Sequence, residues 1–276
     1  MSYIFKPDQF YRMPTHFGPS LGPRQGLDKR RYKGIDTPKD IVVQAIFNIR
    51  KEQVEKLLPP GFSLREPYRL CLTFDYATDI EWLAGRGYNT FGVSAPATYH
   101  GKTEAVNGDF LFVLWENMAD PIITGREDLG FSKVYCELPE PQSIGDKVIC
   151  RASWDGCQFA TLQLSNLKQI NPDELPTPAE SDGVLHYKYI PKTGCPGESD
   201  AEYAVLTPAE DPNVIIDQAS LTESADCEFR QSSWEELPTL VHIVNALSSI
   251  ELGDCVEATL IKSHGGKDLS DQRILR

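Results

Sequence analysis

Short strand-like runs recur along most of the chain and constrain its fold more than any other feature. Apolar, β-branched and aromatic residues dominate or alternate in runs at residues 41–49, 69–77, 110–115, 131–138, 147–154, 158–164 and 184–190. Asp155-Gly156 separates two of these runs, and a two-residue hairpin turn needs the positive φ angles that Asp-Gly accepts. This density of short strands predicts a mainly β protein with an antiparallel sheet and a hairpin at residues 155–156.

Helical patterns are confined to short segments. A short helix is predicted at residues 51–58, where Pro59-Pro60-Gly61 ends it, and a longer one after Ser233-Trp234-Glu235-Glu236, which fits a capping box. Residues 1–40 are rich in Pro, Gly and Arg and predict an extended arm. No later shift in composition marks a linker, so residues 41–276 are predicted to form a single domain.

Charge and composition exclude several classes of function. The net charge of -13, from 40 acidic against 27 basic residues, disfavours binding to nucleic acid or to an anionic membrane. No apolar run approaches the ~18 residues of a membrane span, and the start lacks a signal pattern, so we expect a cytoplasmic protein. The seven cysteines form no CxxC pair and the five histidines no HxxxH pair. We therefore expect neither a disulfide framework nor a metal or other cofactor.

Lys133 occupies an unusual place in the run at residues 131–138. On a strand, Phe131, Lys133 and Tyr135 share one face, while Ser132, Val134 and Cys136 share the other. A lysine in a dry pocket can form a Schiff base, because only the neutral amine attacks a carbonyl. The ordinary lysine pKa of about 10.4 must fall towards neutral pH for this chemistry. We expect removal of water, with Phe131 and Tyr135 as neighbours, to favour the neutral amine at Lys133.

Residues 107–138, NGDFLFVLWENMADPIITGREDLGFSKVYCEL, resemble the central block of the acetoacetate decarboxylase family. The segments MPTHFGP, VEKLLPPGFSL, NTFGVSAP and SWEELPTLVHIVNAL follow that family's order, so the resemblance covers most of the chain. It implies a curved, double-layered antiparallel sheet, a β-cone, which encloses a pocket and has a few helices packed outside. It also implies a homo-oligomer and makes Lys133 the Schiff-base lysine.

The chain departs from the family pattern at two places. The decarboxylases carry proline-lysine-lysine where this chain has Ser132-Lys133-Val134, so the second cation is missing. A lysine at position 134 would, however, point to the opposite face of a strand from Lys133. The alignment places a pocket glutamate of the family at Phe91, which can neither position a carboxylate nor carry a proton. Asp75 is the expected replacement for a second family glutamate at the pocket mouth.

Further candidates for substrate binding surround the lysine in the sequence. Glu116 and Glu127 are candidate acids, Arg126 could pair with either or hold a substrate carboxylate, and Trp115 could line the pocket. The leading hypothesis is a Schiff-base-forming lyase that decarboxylates a small β-keto acid through an iminium and an enamine. The alternatives are aldolase-dehydratase chemistry on a keto acid with the same lysine, and a pocket that binds a small molecule without turnover.

Overall fold

The computed structural model describes residues 5–209, 213–266 and 271–276. Its helices are α1 (Lys51–Val54), α2 (Ala119–Thr124) and α3 (Val241–Ser248), with a π-helical turn at Gly125–Leu129 and 3₁₀ turns at Thr15–Phe17, Glu55–Leu57, Glu81–Leu83 and Pro172–Glu174. The strands are β1 (Lys39–Asn48), β2 (Phe62–Leu64), β3 (Arg69–Ile80), β4 (Arg86–His100), β5 (Ala105–Glu116), β6 (Lys133–Tyr135), β7 (Gln142–Ile144), β8 (Lys147–Trp154), β9 (Cys157–Leu164), β10 (Lys168–Ile170), β11 (Gly183–Pro191), β12 (Ser199–Pro208), β13 (Ile215–Thr222), β14 (Ala225–Phe229), β15 (Cys255–His264) and β16 (Arg273–Ile274).

The strands form two sheets. A 12-stranded sheet has the order β10-β13-β15-β1-β3-β4-β5-β11-β12-β16, with β2 added to β4 and β6 added to β5. A 4-stranded sheet has the order β14-β9-β8-β7. Pairing is antiparallel except where β5 meets β6 and β11. The predicted mainly β fold is confirmed, and positive φ angles at Asp155 and Gly156 form the predicted hairpin between β8 and β9.

The core lies between the two sheets. Side chains that pack in this core are not available to form a site. Phe74, Phe91 and Trp115 project from adjacent strands of the large sheet and are fully buried together with Phe159 of the small sheet. Because side chains alternate along a strand, the residues between them project from the other face of the large sheet. In register there, Asp75 pairs with Thr90 and Thr90 pairs with Glu116. That second face carries the candidate site.

Several predicted elements have different boundaries in the structure. The helix predicted at 51–58 is α1 followed by a 3₁₀ turn. Helix α3 begins at Val241 rather than directly after residues 233–236, since Pro238 lacks the N–H group that a helix interior requires. The predicted strand at 131–138 shrinks to β6, because the chain leaves the π-helical turn through Gly130 at a φ of 94°.

The predicted N-terminal arm has little regular structure up to β1 and packs on the π-helical turn. Arg12 forms an ion pair with Asp128 of that turn at 3.2 Å, and both side chains are largely buried. Residues 1–4 lie outside the described part of the chain. Within the described residues, no helix has the length and apolar character needed to cross a membrane. The expected homo-oligomer stays a prediction, which sedimentation analysis of the purified chain would test.

Candidate active site

The amine of Lys133 lies inside the protein against a buried carboxylate. Strand β6 pairs in parallel with β5, with Lys133 opposite Leu114, so the lysine and Glu116 project from the same face of the sheet. Lys133 is 5% exposed and Glu116 is fully buried. The Nζ atom lies 2.7 Å from Oε1 of Glu116 and donates a 3.2 Å hydrogen bond to the carbonyl oxygen of Pro121. The predicted lysine is therefore withdrawn from solvent and held by an acid.

The segment from α2 through the π-helical turn covers this amine. The carbonyl oxygen of Gly125 accepts hydrogen bonds from the N–H groups of Gly130 at 2.8 Å and Phe131 at 3.0 Å. Nη1 of Arg126 donates a 2.9 Å hydrogen bond to the carbonyl oxygen of Lys133, which fastens the turn to β6. A Cβ atom at Gly125 would lie 2.9 Å from Nζ of Lys133 and closer still to Cδ and Cε. Single π-helical turns are frequent at functional sites, and here the turn leaves room for a lysine side chain.

We expect Gly125→Ala to displace the amine of Lys133 without unfolding the protein. Gly125 has helical φ and ψ angles, so alanine fits the backbone and gains up to ~1 kcal/mol of helix propensity. The new methyl group meets the flexible end of Lys133, which has to move. Displacing a reacting group by about 1 Å costs roughly 10²-fold in rate. Initial rates and thermal unfolding of this variant would be compared with those of Ile123→Ala, whose side chain on α2 is exposed. Full activity of the Gly125 variant would show that the position of the amine is not critical.

Burial shifts the pKa of two groups near the amine, Glu116 and His186. It raises the pKa of the Glu116 carboxyl, and attraction to Lys133 opposes that rise. Burial, with a smaller contribution from Lys133, lowers the pKa of His186 to about 3, so this imidazole is neutral. Its Nε2 lies 2.9 Å from Oγ1 of Thr207. One proton transfer across the Lys133–Glu116 contact would convert a buried ion pair into a neutral pair, which is the state that a nucleophilic amine requires.

The aromatic neighbours of the amine are only partly those expected from the sequence. The ring centroid of Phe131 lies 5.0 Å from Nζ of Lys133, as the strand pattern suggested. Tyr135 instead lies at the end of β6 and is 48% exposed. The second aromatic neighbour is Tyr88 of β4, at 5.9 Å. Tyr88 was not among the predicted neighbours, because no local sequence pattern links it to Lys133.

A pocket of about 430 Å³ lies along the same face of the sheet, and Tyr88 is one of its walls. The carboxyl groups of Asp40, Asp75 and Glu81 also line it. Burial, and then repulsion from Asp40, raises the pKa of Asp75 to about 8, and burial raises the pKa of Asp40 to about 6. Burial, and then Glu116, Asp75 and Asp40, raises the pKa of Tyr88 above its ordinary range, so it remains a phenol. Tyr88 thus lies near Lys133 and also lines the pocket that holds the two aspartates.

The sequence model of the family described as Acetoacetate decarboxylase (ADC) matches residues 12–256. The chain belongs to the acetoacetate decarboxylase family. The match includes the arm from residue 12 onward, the strands that carry Lys133 and Glu116, and most of the pocket wall. No curated protein matches the chain significantly.

Solved structures with the same fold include decarboxylases and a biosynthetic enzyme. An acetoacetate decarboxylase structure is 14% identical, with a TM-score of 0.68 over 99% of this chain and 98% of that chain. Acetoacetate decarboxylase from Legionella pneumophila is 18% identical, with a TM-score of 0.61 over 90% and 91% of the two chains. The enduracididine biosynthesis enzyme MppR is 16% identical, with a TM-score of 0.57 over 86% of each chain. At these identities the likeness establishes the fold.

Phe91, which the family alignment assigned to the pocket, and Trp115, which was predicted to line it, lie on the other face of the sheet. The rings of Phe91 and Trp115 stack at 5.2 Å in the core between the sheets, and neither lines the described pocket. The residue of β4 on the Lys133 face is Thr90, which pairs with Glu116. An alignment shifted by one residue explains the difference, because a one-residue shift exchanges the two faces of a strand. Phe91 and Trp115 are therefore placed as core residues.

The remaining predicted residues divide between the site and the surface. Glu116 contacts the amine of Lys133, and Asp75 lines the pocket. Arg126 and Glu127 are exposed, because the π-helical turn directs them away from the amine that its backbone covers. The guanidinium of Arg126 fastens the turn to β6, and the carbonyl oxygen of Glu127 accepts a hydrogen bond from Lys188. The role of these two side chains in substrate binding stays a prediction.

We expect Asp75→Asn to stabilise the protein at alkaline pH. The folded-state pKa of about 8 lies above the ordinary value of 3.8, so the folded protein binds this proton more tightly than the unfolded chain. The stabilising contribution of the proton is complete below the unfolded pKa and is lost as the pH rises through the folded pKa. As the pH rises from about 5 to about 9, we expect the unfolding free energy of the variant, relative to that of the wild type, to increase by at least ~2 kcal/mol. Urea denaturation at both pH values would measure this, with the exposed Asp200→Asn as control. A pH-independent difference would contradict the raised pKa.

Proposed function

We propose that this chain is a Schiff-base-forming lyase that decarboxylates a β-keto acid with Lys133 as the nucleophile. The observation that carries the proposal is the buried amine of Lys133, 2.7 Å from the buried carboxylate of Glu116. Taking two charges out of water costs several kcal/mol per ion, and the pair can avoid this cost by becoming neutral. A neutral amine beside a carboxylic acid is the combination that attack on a ketone and loss of water require.

The proposed reaction uses the lysine and the glutamate in turn. Glu116 accepts a proton from the ammonium, and the free electron pair on Nζ of Lys133 attacks the carbonyl carbon of the keto acid. The carbinolamine then loses its hydroxyl group as water, with a proton from Glu116, and an iminium remains. The bond to the carboxylate carbon breaks, its electron pair moves into the iminium, and carbon dioxide leaves an enamine. Protonation of the enamine carbon and hydrolysis release the ketone and regenerate Lys133.

Carbon-carbon bond formation is the second candidate function. The same enamine could attack an aldehyde instead of accepting a proton, and loss of water would follow. MppR, which shares the fold at 16% identity, has been solved with the condensation product of pyruvate and imidazole 4-carboxaldehyde. That product belongs to MppR, and it favours this alternative here only because the fold is shared.

Borohydride trapping tests the proposal. Reduction in the presence of acetoacetate should add the mass of the reduced adduct to the peptide that contains Lys133 if a Schiff base forms there. Released carbon dioxide, measured without borohydride, then distinguishes decarboxylation from an aldol reaction with an added aldehyde. An unmodified peptide with every keto acid tried would remove both enzymatic proposals and leave the pocket that binds without turnover.

A further inference from the structure

The pocket beside Tyr88 has a lining of one chemical character. Its titratable and aromatic lining residues are three acids and three aromatics, and no described lining residue is Lys, Arg or His. These residues are Asp40, Asp75, Glu81, Tyr32, Trp82 and Tyr88. Carboxylates attract a cation, and the faces of tyrosine and tryptophan rings add to that attraction. If the substrate carried a further carboxylate, these acids would repel it.

Asp40 and Asp75 have no cationic partner among the residues that the structure describes. Asp40 and Asp75 form no ion pair within residues 5–209, 213–266 and 271–276, and the enclosed Oδ1 atom of Asp75 has no hydrogen-bond partner there. The neighbouring Lys39 is paired with Asp79 at 2.7 Å. The basic segment at residues 30–33 lines an adjacent surface pocket rather than this cavity, apart from Tyr32. The described lining of this acidic pocket therefore supplies no positive partner for the two aspartates.

We propose that this pocket binds the cationic end of the substrate, so that the substrate is a keto compound with an ammonium or guanidinium group remote from its carbonyl. The inference rests on the proposed function, because it takes Lys133 as the group that holds the carbonyl. Asp75, Thr90 and Glu116 pair across adjacent strands, and at about 4.8 Å per strand the Cα atoms of Asp75 and Glu116 are about 10 Å apart. A short aliphatic chain between carbonyl and cation spans that distance.

Three ketones with the same three-carbon spacer test the preference for charge. They are 5-(trimethylammonio)pentan-2-one, its uncharged carbon isostere 6,6-dimethylheptan-2-one, and 5-oxohexanoate. The rate of borohydride labelling of Lys133 would be measured for each at equal concentration. We expect the cationic ketone to label Lys133 at least ~10-fold faster than the isostere does, as a tenfold difference in affinity would produce. The anionic ketone should label Lys133 most slowly. Equal labelling by the cation and the isostere would overturn the proposal.

Variants of Asp40 and Asp75 test whether the preference for the cationic ketone arises in this pocket. Labelling and binding are measured at pH 9, above the raised pKa values of about 8 for Asp75 and about 6 for Asp40, so that both carboxylates are charged. We expect Asp75→Asn, and separately Asp40→Asn, to reduce the preference for the cation over the isostere to within about twofold, since the charge that attracts the cation is then removed. Asp200→Asn removes the same formal charge from an exposed position and should leave the preference unchanged. A preference that survives in both pocket variants would contradict the assignment.

A binding measurement separates this inference from the proposed function. Butyltrimethylammonium has no carbonyl, so its binding, followed by calorimetry, does not depend on Lys133 chemistry. Binding to the wild type that is lost in Asp75→Asn would support the cation pocket even if no ketone labels Lys133, and the Schiff-base proposal alone would then fail. Absence of binding together with equal labelling by charged and uncharged ketones would overturn the cation pocket and leave the proposed function standing.

Discussion

Replacement of Lys133 by alanine is expected to abolish turnover and borohydride trapping together. The variant lacks the amine that forms the covalent intermediate, and no other described lysine contacts Glu116. Loss of a nucleophile typically lowers kcat by at least ~10⁴-fold, or about 5.4 kcal/mol of transition-state stabilisation. Initial rates of substrate loss and the mass of the peptide around position 133 would measure both effects.

Two other lysines serve as controls for Lys133. Lys147→Ala changes an exposed lysine of β8 and should leave activity within about twofold of the wild type. Lys188 is 9% exposed but donates its hydrogen bond to the carbonyl oxygen of Glu127, so its peptide should remain unlabelled in the wild type. Activity of Lys133→Ala within tenfold of the wild type would exclude this lysine as the nucleophile, as would adduct mass on the Lys188 peptide.

Local sequence patterns predicted the strands and the lysine because both depend on neighbouring residues. The Asp155-Gly156 turn needs only its own φ angles, and the alternation that sets Lys133 apart repeats every two residues. The exposure of Tyr135 could not be predicted in this way. That exposure depends on packing between segments, which the alternation along a single strand does not describe.

The pocket depends on strand register, which a single sequence does not contain. Asp40 and Asp75 are 35 residues apart, yet they share a face because Val42 of β1 pairs with Asp75 of β3. Phe91 and Thr90 are neighbours in the chain, and only the pairing of β4 with β5 shows that Thr90 lies on the Lys133 face. A chain with 40 acidic residues offers many pairings of this kind. Proximity in the chain can therefore suggest that Glu116 contacts Lys133, but the contact itself follows only from the pairing of β5 with β6.

Glu116→Gln is expected to lower kcat by roughly 10² to 10⁴-fold, the usual contribution of a positioned acid or base. Glutamine keeps the size of the buried side chain but can neither accept the proton of the Lys133 ammonium nor return it to the departing hydroxyl group. The ammonium would also lose its carboxylate partner at 2.7 Å, and breaking one side of a buried ion pair costs about 3 to 5 kcal/mol. Kinetic assays and urea denaturation would measure the two effects.

The pH dependence and a matched variant distinguish proton transfer from simple support of the fold. Burial raises the pKa of the Glu116 carboxyl in the folded protein, so the wild type loses stability as the pH rises through that pKa, whereas glutamine does not titrate. The loss of stability in Glu116→Gln should therefore shrink as the pH rises. Glu127→Gln alters an exposed acid on the π-helical turn and should change kcat by less than about twofold. If Glu116→Gln retained wild-type kcat while its stability fell, the carboxylate would hold Lys133 in place without moving a proton. The base that frees the amine would then have to be sought elsewhere on this face of the sheet, with Asp75 as the next acid in register.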